Sequence, residues 1–548
     1  MLKKFFNQQI NSITVAAALV ALSSLFSRLL GVIRDRILAG QFGAGTDLDI
    51  YYAAFRVPDL IYNLIVLGAL SAGFVPIFTS LIKDFLHDKD KDSDPVEKNQ
   101  EAWSLANNIL NIIFIALVGL SVLGIIFAPA LTRCLTPGFS AESQAMTTSL
   151  TRIMFLSPIF LGISGVLGGI LQSFKRFLVY SIAPIFYNLG IIIGALYFAP
   201  RWGLVGLAWG VALGAFLHMA VQIPAVYNLG FRYKLKIAWS DFYTKKIFKM
   251  MVPRTMSLAI SQINLIVITV IATGLSSGSL AVFNLANNLQ SFPIGIFGIS
   301  FAIAAFPSLA ATAFDKEKLT ANFSQTFRQI LFFIVPATVL IIALRAQIIR
   351  VILGTGNFDW QDTIMTMNTL GFFALSLFAQ ATIPLLVRVF YARQNSATPF
   401  YLGLVTVLVN IGLSFLFSKT LGVAGLALAF SIANILNFVL LWIWLYFSVG
   451  TLDLGKIIIS VLKFTVSAIG AGLVTQIMKV VIWPFIDMTT FVGVFTQLVV
   501  CGLSGTLVYL LLCLLLKSEE LFRFIASLQN RWPLKKIKLG DQGEARGV

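Results

Sequence analysis

Histidine, cysteine and charge are all scarce in this chain, and each scarcity removes a class of function. Among 548 residues there are two histidines, His87 and His218, and three cysteines, Cys134, Cys501 and Cys513. The cysteines lie far apart, with no CxxC pair and no metal spacing. Neither a disulfide framework nor a metal centre is expected. Charged residues make up 11% of the chain, whereas 58% is hydrophobic. Soluble globular chains run nearer to about 25% charged and about 45–50% apolar, so a string of soluble domains is excluded. HExxH and the phosphate-cradling GxxxxGK[ST] are absent, and no paired His/Asp set stands out. We expect a protein that is not an enzyme, with no catalytic residues and no cofactor.

What is abundant is apolar sequence and positive charge. A spanning helix needs about 20 apolar residues, and fourteen such segments can be read. The first six are 13–38, 50–82, 101–131, 146–173, 179–199 and 203–228. Six more follow at 246–274, 279–312, 325–353, 363–391, 399–417 and 422–448, and a last pair at 457–483 and 490–516. The expected fold is an all-α polytopic membrane protein of about 14 transmembrane helices. The formal net charge is +17. On a soluble domain that excess would suggest nucleic acid. Here the basic residues gather between apolar runs: Lys175-Arg176, the set Arg232, Lys234, Lys236, Lys245, Lys246 and Lys249, and the stretch Lys517 to Lys538. This is the positive-inside pattern of cytoplasmic loops, so no nucleic-acid partner is expected. Lys3-Lys4 before the first run, and an even number of crossings, put both termini in the cytoplasm. The first run is read as a retained helix rather than a cleaved leader. The mixed-charge stretch Lys83–Glu101 reads as a mobile loop.

A weak internal repeat orders the segments. Gly203, Gly206, Leu207 and Ala208 open the sixth, and Gly422, Gly425, Leu426 and Ala427 open the twelfth. Phe74-Val75-Pro76 in the second is matched by Ala305-Phe306-Pro307 in the eighth. Two lobes of six helices in one orientation are common among transporters. The expected divisions are residues 1–230, 231–450, a helix pair in 451–517 and a basic cytoplasmic tail in 518–548. Small residues at this spacing also allow close helix packing without any repeat.

Charges at membrane depth are costly and usually face a bundle interior or a water-filled path. Arg28 lies about 22 Å along from Ile13 at about 1.5 Å per residue. Arg28, Gly31 and Asp35 share one helical face, and Ser27 and Arg34 a neighbouring one. They form a cationic cavity wall with an acidic partner, or an anchor at the headgroups. The second segment adds Asp49, Arg56 and Asp59, with Pro58 and Pro76 bending it. Asp49 fits either a cavity role or a helix cap. The seventh segment carries Arg254, Ser257, Ser261, Gln262 and Asn264, and the eighth Asn284, Asn287, Asn288 and Gln290. Such amides line a wet cavity or bond helices to each other. Basic and amide groups bind anions, so the residues point to movement of an anionic, lipid-linked molecule across a membrane.

At these residues the chain resembles the MurJ (MviN) family of lipid II flippases, within the MOP transporter superfamily. The matching stretches begin with Phe26-Ser27-Arg28-x-Leu30-Gly31-x-x-Arg34-Asp35, then Phe42-Gly43-Ala44-Gly45 with Asp49, and Phe74-Val75-Pro76. Further on come Ser261-Gln262-Ile263-Asn264, Gly278-Ser279, Phe292-Pro293-x-Gly295, Pro307-Ser308-Leu309, Gly356-x-Phe358 and Phe390-Tyr391-Ala392-Arg393-Gln394. The resemblance implies two six-helix lobes around a cationic cavity, with a final pair forming a lipid-tail groove. It implies outward transport of undecaprenyl-pyrophosphate-linked peptidoglycan precursor across the bacterial cytoplasmic membrane, by a monomer in contact with membrane lipids. Arg28, Arg34, Asp35 and Asp49 match family positions tied to headgroup binding or the conformational cycle. Substrate would be held by Ser27, Arg28, Arg34, Arg56 and Arg254, and met by the amides of Gln262, Asn264, Asn287 and Asn288. Asp35 and Asp49 are the candidates for coupling to an ion gradient or membrane potential. The chain departs from the family at Tyr62, where an Arg is usual, at Leu67, where a Glu is usual, and at Asn287-Asn288, where Asp-Arg is usual. Arg254 and Arg56 are the expected replacements. The departures keep a flippase for another polyprenyl-linked glycan open. A MATE-like antiporter, a membrane-embedded transferase and a scaffold remain as alternatives that fit the buried arginines less well.

Overall fold

The computed structural model describes residues 13–67, 73–86 and 100–531. The expected loop around residues 87–99 and the basic tail beyond residue 531 lie outside them. Among the described residues every regular element is helical. Among the described residues eleven helices are long and apolar enough to cross a membrane, or up to twelve if the pair Trp360–Ala374 and Leu377–Ala392, bent by 46°, counts as one span. The chain is a multi-pass membrane protein. This count, made on the described residues, does not confirm the expected fourteen. The first expected segment lies in the helix Ile13–Phe42, which carries Arg28, Arg34, Asp35 and Arg36. The second covers Thr46–Tyr62, a π-helical turn Asn63–Leu67 and Val75–Leu86 among the described residues. Pro76 sits in the first turn of Val75–Leu86, where a missing N–H costs little.

The chain packs as two compact units. The first holds residues 1–292, 345–376 and 396–440. Its helices Phe177–Ile193 and Leu204–Ala220 cross with glycine against glycine. A Cβ on Gly190 would fall 2.2 Å from Gly214 Cα, and one on Gly194 2.4 Å from Gly210 Cα. Within a bilayer, close backbone approach of this kind supplies van der Waals contact where hydrophobicity cannot drive association. The repeat is visible in the backbone. Gly203 has φ 59° and ψ −146°, and Gly422 φ 58° and ψ −136°. Both conformations favour glycine. Three residues on, Gly206 abuts the backbone of Phe198, and Gly425 that of Phe417. An aromatic core joins Phe74, Phe78, Trp103, Phe174 and Phe231, with Trp103 stacked on Phe174 at 5.5 Å.

The second unit holds residues 293–344, 377–395 and 441–548. A π-helical stretch Ile294–Ile299 lets Gly298 meet the backbone of Ala381, and Phe297 stacks on Phe333 at 4.7 Å. The helices Leu454–Ile482 and Phe491–Leu515 form a hairpin. One face of the first exposes Leu462, Val466, Ile469, Leu473, Ile477 and Val480 at helical spacing. A soluble protein rarely exposes so long an apolar stripe; hydrocarbon is its natural solvent. The amphipathic helix Glu519–Arg531, outside the spans, is pinned to this unit by a buried ion pair. Arg328 Nη1 bonds Glu520 Oε1. Ser460 Oγ donates to Glu520 Oε1 and Ser518 Oγ to Oε2, each at 2.9 Å. Burial opposes ionisation of Glu520, but its own backbone N–H, the two hydroxyls and the Arg328 charge outweigh it and hold the carboxyl below the usual range.

Removing one partner of a buried pair costs about 3–5 kcal/mol, so Glu520→Gln should lower the melting temperature of the purified protein at neutral pH. The sign with pH follows from the depressed folded value. The contribution is fully present above the unfolded Glu value of about 4.3 and is lost as pH falls through the folded one. The wild type should therefore lose stability on acidification below about pH 4 more steeply than Glu520→Gln. Parallel melting curves for the two across that range would show the pair contributes nothing.

Candidate functional site

A polar chain runs across three helices of the first unit. Arg34 places Nη2 at 2.8 Å and Nε at 3.0 Å from Asp35 Oδ1. Successive helix positions do not face each other; the pair forms because the long Arg34 side chain folds back. Asp35 is buried, and Arg34 is mostly so. Arg34 Nη1 donates to Asn188 Oδ1 at 3.1 Å, and Asn188 Nδ2 reaches the Ser27 carbonyl at 3.4 Å and Oγ at 3.5 Å. From the other side, Asn288 Nδ2 donates to Asp35 Oδ2 at 2.9 Å. Ser27 and Arg34 thus share a face, and Asn188 reads it. Buried charges survive at this depth only when paired and hydrogen-bonded, and Asn188 and Asn288 complete the shell around this pair.

Arg28 is half-buried and touches the Ser291 carbonyl at only 3.5 Å. It lines a cavity of about 650 Å³ with Ser24, Ser27, Tyr62, Tyr180 and His218. Arg56 donates from Nε to Thr269 Oγ1 and from Nη2 to Asn284 Oδ1, both at 2.8 Å. Both acceptors are neutral side chains. Arg254 is exposed, and Gln262 is half-buried. Asn264 is buried, and its Oδ1 accepts from Asn410 Nδ2 at 2.9 Å. Asn287 Oδ1 accepts from Gln290 Nε2 at 2.9 Å. Arg34, Asp35 and Asn288 are bonded together, Arg28 lines the cavity, and Asn264 and Asn287 are joined to neighbouring amides.

Asp49 is 2% exposed and caps a helix other than its own. Its Oδ2 accepts from Gly278 N and its Oδ1 from Ala281 N, each at 2.7 Å. These donors open the helix Ser279–Pro293, whose first N–H groups lack intrahelical partners and whose N-terminal dipole favours a carboxylate. Around it a clasp closes on the turn after the first helix. Asn357 N donates to Gly40 O at 2.8 Å, and Ala44 N to Asp362 Oδ2 at 2.9 Å. Thr46 Oγ1 lies 2.6 Å from Ser277 Oγ. Gly278 (φ 85°) and Gly356 (φ 54°) sit where a Cβ would strike Ala44 O at 1.7 Å and Gly40 O at 2.1 Å. Three separate glycine-bearing motifs of the sequence thereby meet in one place.

Several residues of the site had no place in the sequence reading. Asn188 and Asp362 are two; the isolated Asn in an apolar run was the available signal for the first. A third group is Ser164, His218 and Gln222. Ser164 Oγ lies 2.6 Å from His218 Nδ1 and accepts from Gln222 Nε2. The other amide atom of Gln222, Oε1, is buried without a partner among the described residues. All three line the same cavity as Arg28.

Spanning helices, a paired charge cluster in their interior and loops clasped by a buried carboxylate define a polytopic membrane transporter fold. A family model described as "Lipid II flippase MurJ" matches residues 38–496. The chain belongs to that family. It is 30% identical, over 77% of its length and 79% of the relative's, to the probable lipid II flippase MurJ of Rhizobium tropici. Among solved structures it resembles a lipid II flippase MurJ in an inward closed conformation, with TM-score 0.74, 24% identity and coverage of 93% of this chain and 100% of that one. It also resembles an inward-facing multidrug resistance MATE family transporter of the MOP superfamily. There the TM-score is 0.65 and the identity 17%, covering 80% of this chain and 99% of that one.

Proposed function

We propose that the chain is a lipid II flippase: a transporter, not an enzyme, that carries undecaprenyl-pyrophosphate-linked peptidoglycan precursor to the outer leaflet. The single observation that carries this reading is the buried Arg34–Asp35 pair, with Arg28 on the same helix lining a cavity, in a member of this family. Arg28 and Arg34 hold the pyrophosphate by charge-assisted hydrogen bonds, which are roughly twice as strong as neutral ones. Arg56 keeps the field positive from its fixed position, and the exposed Arg254 adds to it. Asn288 relays the state of Asp35 to the helix it sits on. The lobes 1–230 and 231–450 alternate between access to either face, with 451–517 carrying the lipid tail. Both termini lie in the cytoplasm, the membrane is the cytoplasmic one, and a monomer suffices. Asp35 and Asp49 couple the cycle to membrane potential or an ion gradient.

A second reading, transport of another polyprenyl-linked glycan, is favoured by one observation. Asn288, at a position where the family often has Arg, is a neutral amide spent on Asp35. Expression in cells depleted of their own lipid II flippase separates the two. Restored growth and wall synthesis fit lipid II. Failure of a membrane-inserted, stable protein to restore them favours the other glycan.

A further inference from the structure

The basic stretch between the spans Leu204–Asn228 and Phe242–Thr273 is not a loose loop. Residues 231–238 run extended along the start of the span Gln100–Leu135, held by three asparagines on that helix. Asn107 Oδ1 accepts from Lys234 N at 2.7 Å, and its Nδ2 donates to Arg232 O at 3.1 Å. Asn111 Nδ2 donates to Lys234 O and Lys236 O, both at 3.0 Å. Asn108 pairs with both backbone groups of Ala238, at 2.6 and 2.9 Å. The amides replace the strand partner that the backbone otherwise lacks. An extended chain sends alternate side chains to opposite sides. Arg232, Lys234 and Lys236, with Leu235 between the lysines, line a pocket of about 760 Å³ with Ser104 and Asn107. Phe231 and Tyr233 line a neighbouring apolar groove of about 360 Å³ with Leu110, Phe114 and Val226.

The pocket is charged, and its cations are positioned. The Arg232 guanidinium lies 3.7 Å over the Tyr227 ring, and its Nη1 donates to Tyr227 O at 2.7 Å. Lys236 Nζ bonds Ser104 Oγ. No ion pair among the described residues engages Arg232, Lys234 or Lys236; one carboxylate, Glu101, stands in the lining. The strap joins two spans and is bonded near the start of a third, so it lies at a face of the bilayer. Leu235, Trp239 and Phe242 are exposed there, the kind of side chains that settle at the headgroup level.

We propose that this strap is a binding site for an anionic phospholipid of the surrounding membrane, with the headgroup phosphate on Arg232, Lys234 and Lys236 and one acyl chain in the groove behind Phe231 and Tyr233. A basic pocket beside an apolar groove at the bilayer face complements an anionic amphiphile and nothing wholly soluble. The site is separate from the Arg28–Arg34 cluster and does not depend on what the chain transports.

Native mass spectrometry of the full-length protein tests it, with phosphatidylglycerol against phosphatidylcholine. Phosphatidylglycerol should bind more tightly. Each basic side chain at a membrane surface accounts for about fivefold in binding, so Arg232→Gln with Lys234→Gln should weaken phosphatidylglycerol about 25-fold and leave phosphatidylcholine unchanged. Both side chains are exposed, and an unaltered melting temperature checks the fold. On the wild type alone, glycerol phosphate should displace phosphatidylglycerol poorly, because it lacks the acyl chain. Equal binding of the two lipids, an unaffected double variant, or efficient displacement by glycerol phosphate each overturns the site while leaving the transport reading intact.

Discussion

Arg34→Ala should reduce lipid II transport by about two orders of magnitude or more. Two charge-assisted contacts to a pyrophosphate are worth about 1.5–3 kcal/mol each, and about 1.4 kcal/mol is tenfold. The same change strands Asp35, which keeps Asn288 but loses its cation. An uncompensated buried charge costs about 3–5 kcal/mol, so loss of transport alone does not separate binding from folding. The double change Arg34→Ala with Asp35→Asn, set beside Asp35→Asn alone, does. It removes the stranded charge, and the melting temperature should recover towards the wild type while transport stays low. Arg34→Lys should fall between, because an ammonium cannot bridge Asp35 and Asn188 in one planar fork. Normal transport by the stable double variant would remove Arg34 from the substrate site.

Asp49→Ala should open the clasp. It leaves Gly278 N and Ala281 N without acceptors in a buried place, at about 1.5–3 kcal/mol for each charged bond lost. Thr46 and Ser277 report the state of the clasp directly, since their hydroxyls touch at 2.6 Å. With Thr46→Cys and Ser277→Cys installed, the pair should cross-link readily when Asp49 is present and several-fold more slowly with Asp49→Ala. Asp49→Asn keeps one acceptor and should cross-link at an intermediate rate. Forming the cross-link should stop transport, and reductant should restore it. Equal cross-linking with and without Asp49 would show that the carboxylate does not hold the clasp.

The sequence makes one half of each interaction visible. Arg28, Arg34, Asp35 and Asp49 stand out because charge is rare in apolar helices, and their faces follow from helical spacing. The partner of Asp49 does not stand out, because Gly278 and Ala281 contribute only backbone N–H groups, and every residue but proline carries one. Asn188 and Asn288 bond the ion pair from distant helices, and spacing along one helix says nothing of what crosses it. The cavity role expected of Asn264 does not follow from its amide alone; a buried carboxamide bonds equally well to Asn410. Asn107, Asn108 and Asn111 sit in a run that reads simply as a span, although they fasten a strap 123 to 130 positions away. The glycines fared better. Gly203 and Gly422 marked a repeat by sequence alone, and their backbone angles agree to within a few degrees in φ.

On the proposed function, a buried cation cluster carries a pyrophosphate-linked lipid between leaflets. The most direct test is a flipping assay in liposomes containing labelled lipid II, with a membrane-impermeant reagent reading headgroups in one leaflet. Wild type and the stable Arg34→Ala, Asp35→Asn double variant are compared at equal insertion, with Asp35→Asn alone as the control for loss of the carboxylate. The wild type should exchange lipid II between leaflets, and the double variant should do so about a hundredfold more slowly or not at all. Equal exchange by both, or none by a well-folded wild type under an imposed membrane potential and ion gradient, would contradict it.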